Sequence, residues 1–185
     1  MIEDIKLLSI LIPTLDKREQ FCNALLRQLN KQLHNRSIEI LLDNGTGTIG
    51  TKRNRLLDIA KGKYVCYIDD DDVIADNYIN LIWPGIEGDY DCCSLIGIIT
   101  TNNKNPKKFI HSIEYNNYFE KLNVLYRPPN HLNVIRADIA KQYKFPEKSF
   151  GEDTDWAMQI CNAKVLKNEY KINQTLYYYK YISNK

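Results

Sequence analysis

The feature that most constrains this chain is an alternation confined to its first 70 residues. Three short apolar runs, residues 7–12, 37–42 and 64–68, are separated by two stretches with helical periodicity. Phe21, Leu25, Leu26, Leu29 and Leu33 recur at the spacing of one helix face, which predicts an amphipathic helix over residues 17–34. Asp16 is expected to cap it. Leu56, Leu57 and Ile59 mark a second helix over residues 52–60, with Gly62 as its terminator. Strands separated by helices imply right-handed crossovers and a mostly parallel sheet. In such sheets ligands bind outside the carboxyl ends of the strands. Asp16, Asp43 and Asp69 each follow a different predicted strand on that edge. No G-x-G-x-x-G follows the first strand, so a dinucleotide site has no support.

The second half is less regular. A short helix is expected over residues 77–83 and a strand over 92–101. A turn at 101–108 and a strand at 109–115 would complete a hairpin. Residues 127–130 read as a loop, 136–143 and 153–163 as helices. The tail 175–182 is aromatic and alternates poorly. There is no internal repeat and no linker, so the 185 residues read as one domain.

Composition narrows the class. A hydrophobic fraction of 44% with 26% charged residues is that of a soluble globular chain. No apolar run reaches the roughly 18 residues of a membrane span, and residues 1–6 lack the basic start of a signal peptide. The five cysteines form no C-x-x-C pair and mostly lie in apolar runs, as expected of buried reduced thiols in a cytoplasmic protein. The net charge of +2 is unevenly spread. Residues 1–100 hold 11 Lys/Arg against 15 Asp/Glu, a balance of −4, and residues 101–185 hold 14 against 8, a balance of +6. The basic half suits either an anionic partner such as nucleic acid or a solvated lysine-rich surface.

The chemistry is concentrated in Asp69-Asp70-Asp71-Asp72, directly after the third apolar run. Carboxylates this close repel, and each is better solvated or bound to a cation. Magnesium typically takes one or two protein carboxylates plus the phosphates of a substrate, and manganese accepts a similar oxygen-rich site. The plainer alternative is an exposed acidic turn capping the next helix.

Four blocks carry a resemblance: Ile10-Leu-Ile-Pro-Thr14, Glu39-Ile-Leu-Leu-Asp43, Lys52-Arg-Asn-Arg55 and residues 60–72 ending in the aspartates. In order and spacing they resemble the nucleotide-binding half of the family 2 glycosyltransferases, which have the GT-A fold. That is a Rossmann-like, mostly parallel sheet flanked by helices, with a smaller mixed acceptor-side region. The resemblance weakens after Asp76 and returns at Pro129-Asn-His-Leu132 and Gly151-Glu-Asp153 with Trp156. It implies a nucleotide-sugar-binding half at residues 1–100 and an acceptor half at 101–185. It implies transfer of a sugar, from a UDP-sugar or another nucleotide-diphosphate sugar, to an acceptor hydroxyl with inversion, assisted by Mn²⁺ or Mg²⁺.

By the same resemblance, Pro13, Thr14 and Asp16 would line the base and ribose pocket and Asp43 would hydrogen-bond the base. Arg53 would face the nucleotide or its phosphates. Asp69-x-Asp71 would be the D-x-D motif, with Asp69 toward the ribose and Asp71 on the metal, and Asp70 or Asp72 sharing the second role. The family often has Asp-Asp-Gly after its second strand, whereas this chain has Asp43-Asn44-Gly45. The general base would be Asp153, with Glu152 next and Asp155 third. His131 and Trp156 are candidate donor or acceptor contacts, although a core role suits Trp156 better. The acceptor is a glycan or, given the basic half, a hydroxymethylated base in phage-modified DNA, which would put the protein in a host cytoplasm. Two other classes use the same residues: a nucleotidyl- or phosphoryl-transfer enzyme, and a non-catalytic nucleotide-sugar-binding module.

Overall fold

Strand β1 (Leu8–Pro13) is buried along its whole length and lies between its two parallel neighbours. In this computed structural model, which describes residues 7–181, a 3-10 turn (Asp16–Arg18) follows β1, then α1 (Glu19–Asn30), β2 (Ile38–Asp43), α2 (Ile49–Ile59) and β3 (Tyr64–Tyr67). The expectations for residues 1–6 and Ile182 lie outside the described residues. β1 pairs in parallel with both β2 and β3, in a register that sets Ile10 beside Ile40 and Cys66. This is the β-α-β-α-β unit expected from the apolar runs.

Successive side chains of a strand point to opposite faces, and β1 shows the consequence. Leu8, Ile10 and Ile12 pack with Cys22, Leu25 and Leu29 of α1 and with α3 (Tyr78–Glu87). Leu11 joins Leu56 and Leu57 of α2 and Trp156 and Ile160 of α5 (Glu152–Ala163) on the other face. Both faces of the sheet are covered, which is why β1 reads as a nearly continuous apolar run.

The rest of the chain adds β4 (Val73–Ile74), β5 (Cys92–Cys93), β6 (Leu95–Thr101), β7 (Lys104–His111), β8 (Phe119–Lys121), β9 (Val124–Arg127), β10 (Ile135–Arg136), α4 (Ala137–Ala140), β11 (Glu169–Tyr170) and β12 (Thr175–Tyr181). The first sheet runs β11-β5-β10-β3-β1-β2, with β10 antiparallel to β3. The second runs β4-β12-β6-β7-β9-β8. The chain is thus an α/β protein with a mostly parallel main sheet and a mixed second one. Among the described residues no helix is long and apolar enough to cross a membrane.

Several expected details are corrected. Asp16 does not cap α1; its carboxylate accepts a hydrogen bond from Asn44 at 2.7 Å. Phe21 is exposed and Cys22 takes its place on the buried face. α2 starts three residues earlier than its periodicity suggests, because the Thr48 side chain caps it through Thr51 N. Ile59 of α2 is exposed while Lys52 and Arg53 are buried. Gly62 is not a left-handed terminator. A Cβ there would lie 2.5 Å from Ser9 N, so glycine is required by the close approach to β1. α3 continues through Pro84 to Glu87, and α4 spans only four residues of the expected 136–143 helix.

The expected strand 92–101 breaks at Ser94, where the chain passes from the first sheet to the second. Ser94 N donates to Tyr170 O and its hydroxyl accepts from Ile172 N. The hairpin turn is shorter than its polar composition implies. Asn102 and Asn103, both at positive φ, make it, and a register shift between Ile99 and Thr101 accommodates the start of β7. The cysteines are unpaired, four of them buried, and burial pushes the Cys66 and Cys93 thiols up to about 12.

His111 of β7 ties the second sheet to the loop that enters β10. Asn133 Nδ2 donates to Cys93 O, which leaves Asn133 Oδ1 as an acceptor for Asn130 N and for His111 Nδ1 at 2.9 Å. Burial, helped by the nearby Arg127 charge, lowers the His111 pKa to about 3. An unfolded histidine titrates near 6.5, so between these values the unfolded chain binds the extra proton. This contribution to stability is present in full above pH of about 6.5 and is lost as pH falls towards 3, at roughly 1.4 kcal/mol per pH unit. Denaturant unfolding at pH 7 and 4.5 should therefore show a smaller acid loss in His111→Asn, which keeps a donor but does not titrate. Equal losses in variant and parent would count against this burial of a neutral imidazole.

Candidate functional site

The carboxyl ends of β1, β2 and β3 carry Pro13, Asp43 and, one residue beyond Ile68, the aspartate run. The four aspartates part company there. Asp69 Oδ1 receives Arg53 Nη2 at 2.9 Å. Asp70 is 1% exposed and accepts from Thr14 Oγ1 at 2.6 Å and Arg18 Nη1 at 2.7 Å. Asp71 Oδ2 lies 2.9 Å from Arg18 Nη2 and stays 25% exposed. Asp72 turns inward and accepts from the Tyr177 hydroxyl of β12 at 2.8 Å, and Lys180 N approaches its other oxygen.

Their acidities diverge accordingly. Burial alone would raise Asp69, but the Arg53 charge and the nearby His131 outweigh it and hold the carboxyl well below the usual range. Burial raises Asp70 despite Thr14 and Arg18. Burial, then repulsion from Asp69, raises Asp72.

The four residues Lys52 to Arg55 of α2 point around one helical turn and anchor five different segments of the chain. Lys52 Nζ donates to Thr14 O at 2.6 Å. Arg53 reaches Asp69 and, through Nε, Glu152 Oε1 at 3.3 Å. Asn54 exchanges two hydrogen bonds with the backbone of Phe145. Arg55 grips Asp43 with two bonds of 2.7 and 2.9 Å, and these hydrogen bonds lower the Asp43 pKa. Arg53 is 3% exposed, and its Nη1 is buried without a hydrogen-bond partner.

Two adjoining cavities meet at this guanidinium. One, of about 340 Å³, is lined by Pro13, Arg18, Arg53 and Asp69 to Asp71. The other, of about 490 Å³, is lined by Arg53, Asp69, His131, Asp153 and Phe150, with Ile99, Phe109 and Arg127 of the second sheet behind them. His131 stands between the two acidic centres, its Nε2 3.7 Å from Asp69 Oδ2 and its Nδ1 3.5 Å from Asp153 Oδ2. Both ring nitrogens are buried without a hydrogen-bond partner. A buried polar atom left this way is costly unless a ligand or water reaches it.

The start of α5 sorts the candidate acids. Gly151, at φ +73°, makes the left-handed step into the helix that side-chain-bearing residues resist. Glu152 is buried against Arg53. Asp153 is 29% exposed and faces the larger cavity. Asp155 points outward to Lys148 at 2.5 Å.

Not every expected residue converges. Thr14 and Asp16 line a separate hollow beside Asn44 and Leu42, and Asp43 lines neither of the two joined cavities. Trp156 lies in the core, stacked on Phe145 at 4.7 Å, and lines neither cavity, so the contact considered for it is replaced by packing. Arg18, Lys52 and the bond from Tyr177 to Asp72 were missed. Arg18 and Lys52 sit in helical stretches where a cation reads as solvated, and Tyr177 sits in an aromatic tail with no clear alternation.

A divalent cation was expected here. Among the described residues no group of three or more His, Cys, Asp or Glu side chains is arranged to hold one. Asp69, 28% exposed, and Asp71 both line the smaller cavity. Two such carboxylates fit an ion whose remaining ligands come from substrate phosphates, not an all-protein cage.

A model of the glycosyl transferase family 2 matches residues 24–144. No curated protein matches the chain. Among solved structures, S. aureus TarS 1-349 is similar with a TM-score of 0.66 and 17% identity, over 94% of this chain and 60% of that one. The same protein in complex with UDP-GlcNAc gives 0.66 and 17%, over 97% and 60%; in complex with UDP it gives 0.65 and 17%, over 94% and 60%. This chain therefore spans 60% of the 1-349 portion of TarS and 36% of the longer TarS chain, and at this identity the likeness shows the fold.

The buried ion cluster yields a stability prediction. Arg53→Leu leaves Glu152 as a buried, unpaired carboxylate, and breaking such a pair costs about 3–5 kcal/mol. Chemical denaturation should show a loss of that size, partly recovered when Glu152→Leu is added. An unchanged midpoint in the single variant would contradict the cluster.

Proposed function

The chain belongs to glycosyl transferase family 2, and from that premise we propose that it transfers a sugar from a nucleotide-diphosphate sugar, with UDP as the carrier, to an acceptor hydroxyl with inversion. The observation that carries this reading is the junction of the two cavities at Arg53 and Asp69. One cavity offers guanidinium groups and carboxylates to a diphosphate and its ion. The other offers a half-exposed carboxylate, Asp153, to an attacking hydroxyl. Residues 1–100 supply most of the donor side; residues 101–185 supply the acceptor side.

Asp69 and Asp71 would hold Mn²⁺ or Mg²⁺ together with the diphosphate, and the ion would offset the charge that develops on the leaving group. Arg53 adds a fixed positive charge at the same place without reorganising, because Asp69 and Glu152 already orient it. The acceptor oxygen forms the new bond to the anomeric carbon as the bond to the diphosphate oxygen breaks. Its proton passes to the Asp153 carboxylate. The arrangement favours Asp153 over Glu152, whose carboxylate is committed to Arg53. His131 packs between Asp69 and Asp153 and fixes their separation. Pro13 walls the donor cavity. Thr14 and Asp16, and Asp43 beyond them, serve the base and ribose from the neighbouring edge.

A nucleotide-sugar screen with Mn²⁺, scored for release of the nucleoside diphosphate, tests the function. UDP-GlcNAc is the first donor to try, since a similar fold was solved with it. Release should require the ion and rise with the right acceptor, offered as oligosaccharides or as DNA carrying hydroxymethylated bases. A DNA acceptor should bind steeply more weakly as salt rises. Turnover of a nucleoside triphosphate with pyrophosphate release, and none of a nucleotide sugar, would replace this reading with nucleotidyl transfer.

Asp153→Asn should keep donor affinity but slow transfer by about 10²- to 10⁴-fold, the usual cost of losing a general base. Glu152→Gln should act mainly on stability through Arg53. If Asp153→Asn transfers at the parental rate while Glu152→Gln does not, the base is Glu152.

A further inference from the structure

Arg18 lines the cavity in which the divalent cation is expected. Its guanidinium crosses the smaller cavity, donating to buried Asp70 at 2.7 Å and lying 2.9 Å from Asp71. The two contacts differ in kind. Asp70 is closed off and also held by Thr14, so that bond belongs to the fold. Asp71 opens onto the cavity, and Arg18 itself is 28% exposed at the end of the 3-10 turn that precedes α1. In the same cavity the buried Arg53 Nη1 has no partner. Two guanidinium groups line this cavity together with Asp69, Asp70 and Asp71, so an anion there would meet Arg18 and Arg53 only if a cation offset the carboxylates. Asp71, already neutralised by Arg18, is what a divalent ion must take from it.

Resting on the donor reading above, we propose that Arg18 is an exchangeable counter-ion. It neutralises Asp71 while the ion is absent. When the ion takes Asp71, the Arg18 Nη2 group turns to the diphosphate, and Nη1 remains on Asp70. Two cations on one carboxylate repel each other, and the diphosphate is the charge that lets both stay. The ion alone is therefore bound weakly, and ion and nucleotide each raise the affinity of the other, as linkage requires.

Calorimetry with Mn²⁺ and UDP as probes tests this. The parent should bind Mn²⁺ weakly alone and more tightly with UDP. Arg18→Gln should bind Mn²⁺ alone about two- to fivefold more tightly, because a partly exposed ion pair no longer competes. It should bind UDP with Mn²⁺ about tenfold or more weakly, as loss of a charge-assisted hydrogen bond implies. Asp71→Asn approaches from the other side and leaves Asp70 untouched. In chelator it should bind UDP about two- to fivefold more tightly than the parent, because Arg18 is released. Should Arg18→Gln fail to fold in a thermal melt, Asp71→Asn decides alone.

Parental constants in Arg18→Gln, or weaker UDP binding by Asp71→Asn in chelator, overturn the counter-ion role while the donor reading stands. A parent that binds UDP but no Mn²⁺ at saturating UDP overturns the ion assignment and this proposal together. A parent that binds neither overturns the donor reading itself.

Discussion

The Arg53 guanidinium is the interaction on which the site depends. A charge this deeply buried is tolerated only with partners that offset its lost hydration. Asp69, at the end of the third parallel strand, and Glu152, at the start of the last helix, supply them from positions 16 and 99 residues away in sequence. The Tyr67 and Phe145 rings lie 5.3 and 5.9 Å from its centre. Burial tends to lower the Arg53 pKa, and its carboxylate partners more than reverse this, so the group stays charged. The first half of the chain and the final helix cannot shift relative to each other without exposing an unpaired ion.

The second sheet determines what the aspartate run can do. β12 returns beside β4 and carries Tyr177 beneath the run, where its hydroxyl accepts from Asp69 N and donates to Asp72. Asp72 is thereby buried at the wall of the larger cavity, and Asp70 is buried against Thr14 and Arg18 at the wall of the smaller one. Four consecutive carboxylates become two that are buried and committed to partners, Asp70 and Asp72, and two that stay partly exposed, Asp69 and Asp71. The run is a tight turn, closed by Asp72 N donating to Asp69 O at 3.1 Å, and it sends the four side chains to different partners.

The same logic explains what was legible in the sequence. Strands 1 to 3 were readable because both faces of the sheet are covered and most of their positions are apolar, Ser9 and Glu39 being exceptions that bond each other. The site edge followed from their order. Lys52 and Arg53 were expected in a helix but not inside the protein, since a hydropathy pattern assigns cations to solvent and their burial depends on acids elsewhere in the chain. Cys22 for Phe21 is a shift of one position on a helix whose face is set by its entry turn. The break at Ser94 was invisible because an apolar run does not record a change of sheet. Asp153 and Glu152 were not separable by sequence: both sit in the first turn of α5, and only the direction of that turn commits one to Arg53 and the other to the cavity.

The wall of the larger cavity is built by an insertion. Residues 95–127 leave the first sheet after β5 and form β6 to β9 before the chain re-enters the first sheet at β10. Ile99, Phe109 and Arg127 of that insertion face the cavity, and a Cβ at Gly97 would meet the Phe109 ring at 2.1 Å, so Phe109 lies flat against its neighbouring strand. His111, at the end of the same strand, holds Asn133 and through it the loop that bears His131. Changes within the insertion therefore reach the His131 side of the cleft through packing and one buried hydrogen-bond chain. They touch neither Asp70 nor Asp71 directly, since these are held from the opposite side by Thr14 and Arg18, and they reach the aspartate run only through β12, which pairs with β6. A fold divided this way can vary what enters the larger cavity while the charged floor of the smaller one stays the same.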